Sequence, residues 1–229
     1  MSRWFYAGVA ATLAAFAISI YIYFFMFDQL PEKIPVHWNI HGQPDRIVDK
    51  QDAWTNFWLI PAMMVGFLLL TLALPWLSPK AFKIEPFRDT YGYVMALVQA
   101  LFLYIHGLLV WASLHPEAVT ARMLLGGMFV FFALMGNVMG RVRRNFWVGI
   151  RTPWTLASDK VWNATHRLGA WLFFTAGVVG AIVVFGGANL VWCMVVLLAG
   201  ISFAAIIPVL YSLILYKRLE REGRLNDSE

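Results

Sequence analysis

Six stretches of the chain are long and apolar enough to cross a lipid bilayer, and they dictate most of what it can fold into. A spanning helix needs about 20 mostly apolar residues at a rise of about 1.5 Å each. The stretches run from Trp4 to Phe27, Trp54 to Leu77, Tyr91 to Leu114, Met123 to Met139, Leu168 to Phe185 and Leu190 to Tyr216. In hydrocarbon every backbone N–H and C=O must find a partner within the protein, so such runs fold as helices. Pro61, Pro75 and Pro208 fall inside the second and sixth runs, where each removes one backbone donor. Only 14% of the residues are charged, against roughly a quarter in soluble domains. The expected fold is an all-α membrane protein, a bundle of six transmembrane helices. Its first helix is too long for an ordinary signal peptide and is retained as an anchor.

The basic residues predict orientation. With the N-terminus inside, fourteen Lys and Arg face the cytoplasm, and four (Lys33, Arg46, Lys50 and Arg122) face outward. That asymmetry predicts cytoplasmic N and C termini, an extracytoplasmic loop over 28–53 and a cytoplasmic loop over 140–167. The net charge of +5 then reports topology and not a nucleic-acid partner, because the cations are spread over short loops. On this scheme 1–77 is the first helix pair with its external loop, 78–139 the middle pair, and 140–229 the cytoplasmic loop with the last pair. The single cysteine, Cys193, excludes an intrachain disulfide.

In the external loop, Ile34, Val36, Trp38 and Ile40 alternate with Pro35, His37, Asn39 and His41. Period two predicts a strand with His37, Asn39 and His41 on one face and Trp38 on the other. Gly42-Gln43-Pro44-Asp45 is turn chemistry, and Arg46-Ile47-Val48 can return as the partner strand of a hairpin. His37, His41 and Asp45 are suitable zinc ligands. On one strand, however, the two histidines stand about 13 Å apart, and the metal reading is the weaker one. Hydrogen bonding within the hairpin, or contact with an external ligand, competes with it.

In the cytoplasmic loop, Thr152 followed by Pro153 predicts a helix start, and Ser158 before Asp159 a second. Arg141, Arg143 and Arg144 read as interfacial anchors. The large directional side chains of Arg151, Thr152, Trp154, Trp162, His166 and Arg167 exceed what anchoring requires. They predict either a lipid, peptide or protein contact or an internal structural network. The polar C-terminal tail is expected to fray.

Within the spans, His106, Gln99 and Asn137 are polar, and no central Asp or Glu is present, which argues against a proton-coupled transporter. His106 and Asn137 are expected to hydrogen-bond between helices, and Gly136 with Gly140 to permit close packing. No nucleotide-binding or hydrolase motif occurs, so neither catalysis nor a cofactor is expected.

The segment LPEKIPVHWNIHGQPDRIVDK resembles the extracytoplasmic motif of the domain of unknown function at the N-terminus of SdpI-family membrane proteins. GRVRRNFWVGIRTPWTLASDKVWNATHRLGAW resembles that family's second signature. From the first motif, the resemblance carries over His37, Asn39, Gly42, Pro44 and Asp45 as ligand-binding residues. From the second it carries over Asn145, Gly149, Arg151, Thr152, Pro153 and Trp154, and further along Thr155, Trp162, Thr165, His166, Arg167 and Gly169. It implies a protein of the bacterial cytoplasmic membrane that gives immunity to, or senses, a secreted membrane-active toxin peptide. A cytoplasmic repressor is an implied partner inside. A peptide or lipid exporter, a metal-binding membrane enzyme and an assembly factor are the alternatives.

Overall fold

The computed structural model describes residues 2–39, 41–115 and 120–225. Helix α1 (Arg3–Tyr21) continues through a π turn (Ile22–Met26) and a 3-10 turn (Phe27–Gln29) into strands β1 (Lys33–Trp38) and β2 (Pro44–Asp49). Then come α2 (Lys50–Leu77), α3 (Arg88–Leu114), α4 (Thr120–Met139), the short α5 (Pro153–Ala157), α6 (Asp159–Phe185) and α7 (Leu190–Arg221). Six helices, α5 excepted, are long and apolar enough to span a membrane.

The helices outrun the apolar stretches that predict them. Helix α2 starts at Lys50 and α6 at Asp159, well before Trp54 and Leu168. Hydropathy marks where the chain meets lipid, and a helix continues into polar sequence wherever its first turn is supported. The loop expected over 140–167 therefore ends at Ser158.

Helices α1, α2 and α3 pack together, as do α4, α6 and α7. Glycines let α4 and α6 meet backbone to backbone. A Cβ on Gly136 would overlap the Phe174 backbone nitrogen, and one on Gly177 the Ala133 nitrogen. Small residues allow this approach, which gains dispersion contacts where lipid provides no hydrophobic drive. Gly140 has no such need, since the nearest atom to its Cβ would be 3.8 Å away. The expected Gly136–Gly140 pair is thus corrected to Gly136 with Gly177 and Gly180 across the interface.

Buried polar groups join helices as hydrocarbon burial demands. Gln99 Nε2 donates to the Met64 carbonyl at 2.9 Å. Ser19 Oγ donates to the Phe57 carbonyl at 2.8 Å and lies 3.1 Å from His106 Nε2. Asn137 does not join them: its side chain is exposed on the outer face of α4 and forms no interhelical bond among the described residues. One residue past Gly136, it is rotated about 100° from the face that meets α6.

The connections sort to two ends. The hairpin packs against the adjoining ends of α2 and α3. At the opposite end, Ile84 and Phe87 after α2, Tyr91 of α3, Val142 and Trp162 of α6 form one buried cluster.

Candidate functional site

The hairpin stands on a core of its own. Ile34 is opposite Val48, and both meet Ile22, Leu30, Phe57 and Val110. At its base Lys33 Nζ is 2.6 Å from Asp49 Oδ1. The hydrogen bond to that carboxylate, with its charge, holds the exposed ammonium's pKa above the ordinary lysine value. Strand β1 ends at Trp38 after register shifts on both sides of His37. Asn39 and His41 therefore do not share a strand face with His37, which corrects the alternation read from sequence; Ile40 lies outside the described residues.

The cause is the Asn39 side chain, which takes over the turn. Its Oδ1 accepts the His41 and Gln43 N–H groups at 2.9 and 3.1 Å, and its backbone carbonyl accepts the Gly42 N–H at 2.9 Å. Gly42 sits at φ +76°, the left-handed region that favours glycine. A Cβ there would lie 2.9 Å from Leu190 Cδ2, so the tip rests on the first residue of α7. Pro44 opens β2 opposite Trp38. His37 Nδ1 pairs with Asp45 Oδ1 at 2.5 Å. Among the described residues no three His, Cys, Asp or Glu side chains group as metal ligands, so the site proposed from His37, His41 and Asp45 is not assembled.

Between the hairpin and helices α3, α4 and α7 lies a cavity of about 780 Å³. His37, Asn39 and Asp45 contribute its polar end, and aliphatic side chains such as Leu108, Leu124, Leu125 and Leu197 form its wall. Three of the five residues singled out in the hairpin thus border one apolar chamber.

At the other end, residues 142–158 close around buried polar side chains. Asn145, fully buried, donates from Nδ2 to the carbonyls of Arg143 and Val148 and accepts at Oδ1 from the Trp147 and Val148 N–H groups, all within 2.7–2.8 Å. Gly149 follows at φ +116°, and a Cβ on it would overlap His166 Nε2. That nitrogen accepts the Ile150 N–H at 3.0 Å, while Nδ1 is 2.8 Å from the Trp162 carbonyl. A donor at one nitrogen and a carbonyl at the other match the neutral tautomer protonated at Nδ1. Trp162 stacks on this ring at 4.0 Å and donates from Nε1 to the Val142 carbonyl at 2.7 Å.

Thr152 caps α5 as expected, with Pro153 at the first helical position and a reciprocal pair to Thr155. The Thr155 N–H donates to Thr152 Oγ1 at 3.1 Å, and the Thr152 N–H to Thr155 Oγ1 at 2.9 Å. Thr152 Oγ1 also meets Ser212 Oγ of α7 at 3.1 Å. Gly169 leaves room for Ile150, whose Cδ1 would stand 2.7 Å from a Cβ there. Thr165 is fully buried and Trp154 half-buried, while Arg151 and Arg167 are exposed. Arg151 Nη1 donates to the Phe146 carbonyl at 2.6 Å.

Four contributors escape a reading of sequence alone. Arg144, read as an anchor, instead binds the Asp159 carboxylate through Nε at 2.8 Å and the Leu156 carbonyl through Nη1 at 2.8 Å. Ser158 does not cap α6 with its side chain; its hydroxyl donates to the Leu225 carbonyl at 3.2 Å. The tail is therefore tied down through Leu225, and 226–229 lie outside the described residues. Ser212 has no local signal, being one small polar residue in an apolar run. Arg122 donates to the carbonyls of Val184 and Ala188 at 3.0 and 2.8 Å, satisfying the C-terminal end of α6.

Comparison with known proteins agrees with this division into two motifs. The SdpI/YfhL protein family matches residues 141–212, and the domain of unknown function DUF1648 matches residues 11–65. The chain is 30% identical to the immunity protein SdpI of Bacillus subtilis (strain 168) over 196 residues, 85% of this chain and 88% of that protein. No solved structure matches. Six spanning helices, the two motif-bearing ends and this relative together establish a multi-pass membrane protein that belongs to the SdpI family.

Proposed function

We propose that the protein confers immunity to a secreted membrane-active peptide, binding it at the hairpin without catalysis. In this reading it lies in the bacterial cytoplasmic membrane with the hairpin outside and both termini inside. The observation that carries it is the cavity beneath the hairpin, bordered by His37, Asn39 and Asp45 and otherwise apolar. An amphipathic chamber of this kind suits a ligand that partitions into membranes. The relative's description as an immunity protein supplies the biological setting. The loop at the other end holds the bundle together, and the exposed Arg151 of the loop and Arg167 of α6 are available to a cytoplasmic partner such as a repressor.

Expression in a peptide-sensitive bacterial host tests this. Survival against at least one secreted membrane-active peptide is expected, with protection lost in Asp45→Ala. Unchanged killing across a panel of such peptides overturns it.

A further inference from the structure

Resting on that reading of the hairpin, we infer that the cavity takes an extended peptide segment, paired as a third strand along the outer edge of β1. Its apolar side chains lie in the chamber and a basic group meets Asp45.

Four successive residues, Val36, His37, Trp38 and Asn39, border the cavity. The register shifts beside His37 interrupt the usual alternation of side chains, so the chamber adjoins the second half of β1, Val36 to Trp38, and the turn residue Asn39 that follows it. The sheet has only two strands, and the edge of β1 away from β2 presents backbone groups without a strand partner. An extended peptide satisfies such groups by strand addition, with affinity from the main chain and specificity from pockets for alternate side chains. An acyl chain has no groups to offer them.

The chamber suits the side chains of such a segment. Its volume of about 780 Å³ falls within the roughly 300–1,000 Å³ of ligand pockets. Met128 and Met194 stand in the wall, and their unbranched thioethers adapt to the shape of what enters.

Charge selects the polar end. Asp45 Oδ1 accepts from His37, and a carboxylate keeps further acceptor positions. Among the described residues this end carries five carboxylates (Asp28, Glu32, Asp45, Asp49 and Asp52) against four cations. Lys33 pairs with Asp49 and Lys50 with Glu32, which leaves Asp28, Asp45 and Asp52 against Arg46 and Arg122. A basic ligand is favoured on approach.

The test uses the full chain in nanodiscs and a lysine-headed hexapeptide of alternating valine and leucine, in three forms: unmodified, N-methylated at odd amides and N-methylated at even amides. Strand pairing uses every second amide. One methylated form therefore loses about tenfold or more in affinity and the other stays within about twofold. Leu124→Trp, which fills the chamber, lowers affinity for the unmodified peptide about tenfold. Asp45→Asn weakens it about threefold and leaves a norleucine-headed version unchanged.

Equal affinity for the two methylated forms overturns strand addition, and this arm alters only the ligand, so misfolding of a variant cannot mask it. Retention of phosphatidylglycerol with no measurable peptide binding overturns the proposal in favour of a lipid site. Binding without protection in the killing assay faults the immunity function and leaves this site standing. Protection without binding does the reverse.

Discussion

The two ends of the bundle use asparagine, glycine and histidine for opposite purposes. At the hairpin, Asn39 and the His37–Asp45 pair organise a turn that is largely open to solvent, above a chamber that protein does not fill. At the other end, Asn145 and His166 are fully buried and have protein partners at the polar atoms that matter. Where every partner is internal, a side chain specifies one conformation. Where partners are few and a cavity adjoins, the same residue types leave capacity for a ligand.

The sharpest way to break this comparison is at Asn145. Asn145→Ala removes four hydrogen bonds at about 1 kcal/mol each, for a loss of about 4 kcal/mol. Asn39→Ala removes two exposed ones for about 1–2 kcal/mol. Thermal unfolding in detergent measures both, and equal losses would erase the distinction. Next is Gly149→Ala, where a left-handed backbone and the His166 ring both resist a methyl group. A loss of about 3 kcal/mol is expected. Gly187, at φ +85° with nothing near its missing Cβ, serves as the control, with about 1 kcal/mol for Gly187→Ala.

Ser212→Ala comes third: it breaks the contact with Thr152 for about 1 kcal/mol. Proteolysis of the 142–158 segment should quicken while cleavage at the hairpin is unchanged. The smallest stability effect is expected from Asp45→Asn, below about 1 kcal/mol because the pair with His37 is solvent-exposed. Its effect belongs in the killing assay. A variant that unfolds instead would move Asp45 from the proposed binding role to a structural one.

What could be read from the sequence follows from which forces are local. The spans were legible because hydrocarbon burial depends on composition along the chain alone. The turn at Gly42 and the cap at Thr152 were legible because their chemistry is contained within a few residues. Asn39 broke the period-two pattern because an amide side chain can stand in for a backbone carbonyl, which alternation does not register. Arg144 looked like an anchor because its partner Asp159 is remote in sequence, and charge alone does not tell lipid from carboxylate. Gly136 in α4 and Gly140 just past its end look alike in the sequence. Only the position of α6 decides that Gly136 is needed, and the same rotation leaves Asn137 facing outward.

Helix α7 touches both ends: Leu190 lies under Gly42 at the hairpin tip, and Ser212 meets Thr152 in the opposite loop. The intervening residues span about 33 Å at 1.5 Å each, close to the thickness of the hydrocarbon. One covalently continuous element therefore joins the two motifs. Any coupling through it would obey thermodynamic reciprocity: whatever factor the proposed peptide at the hairpin applied to a partner's affinity for the loop, that partner would apply in return to the peptide.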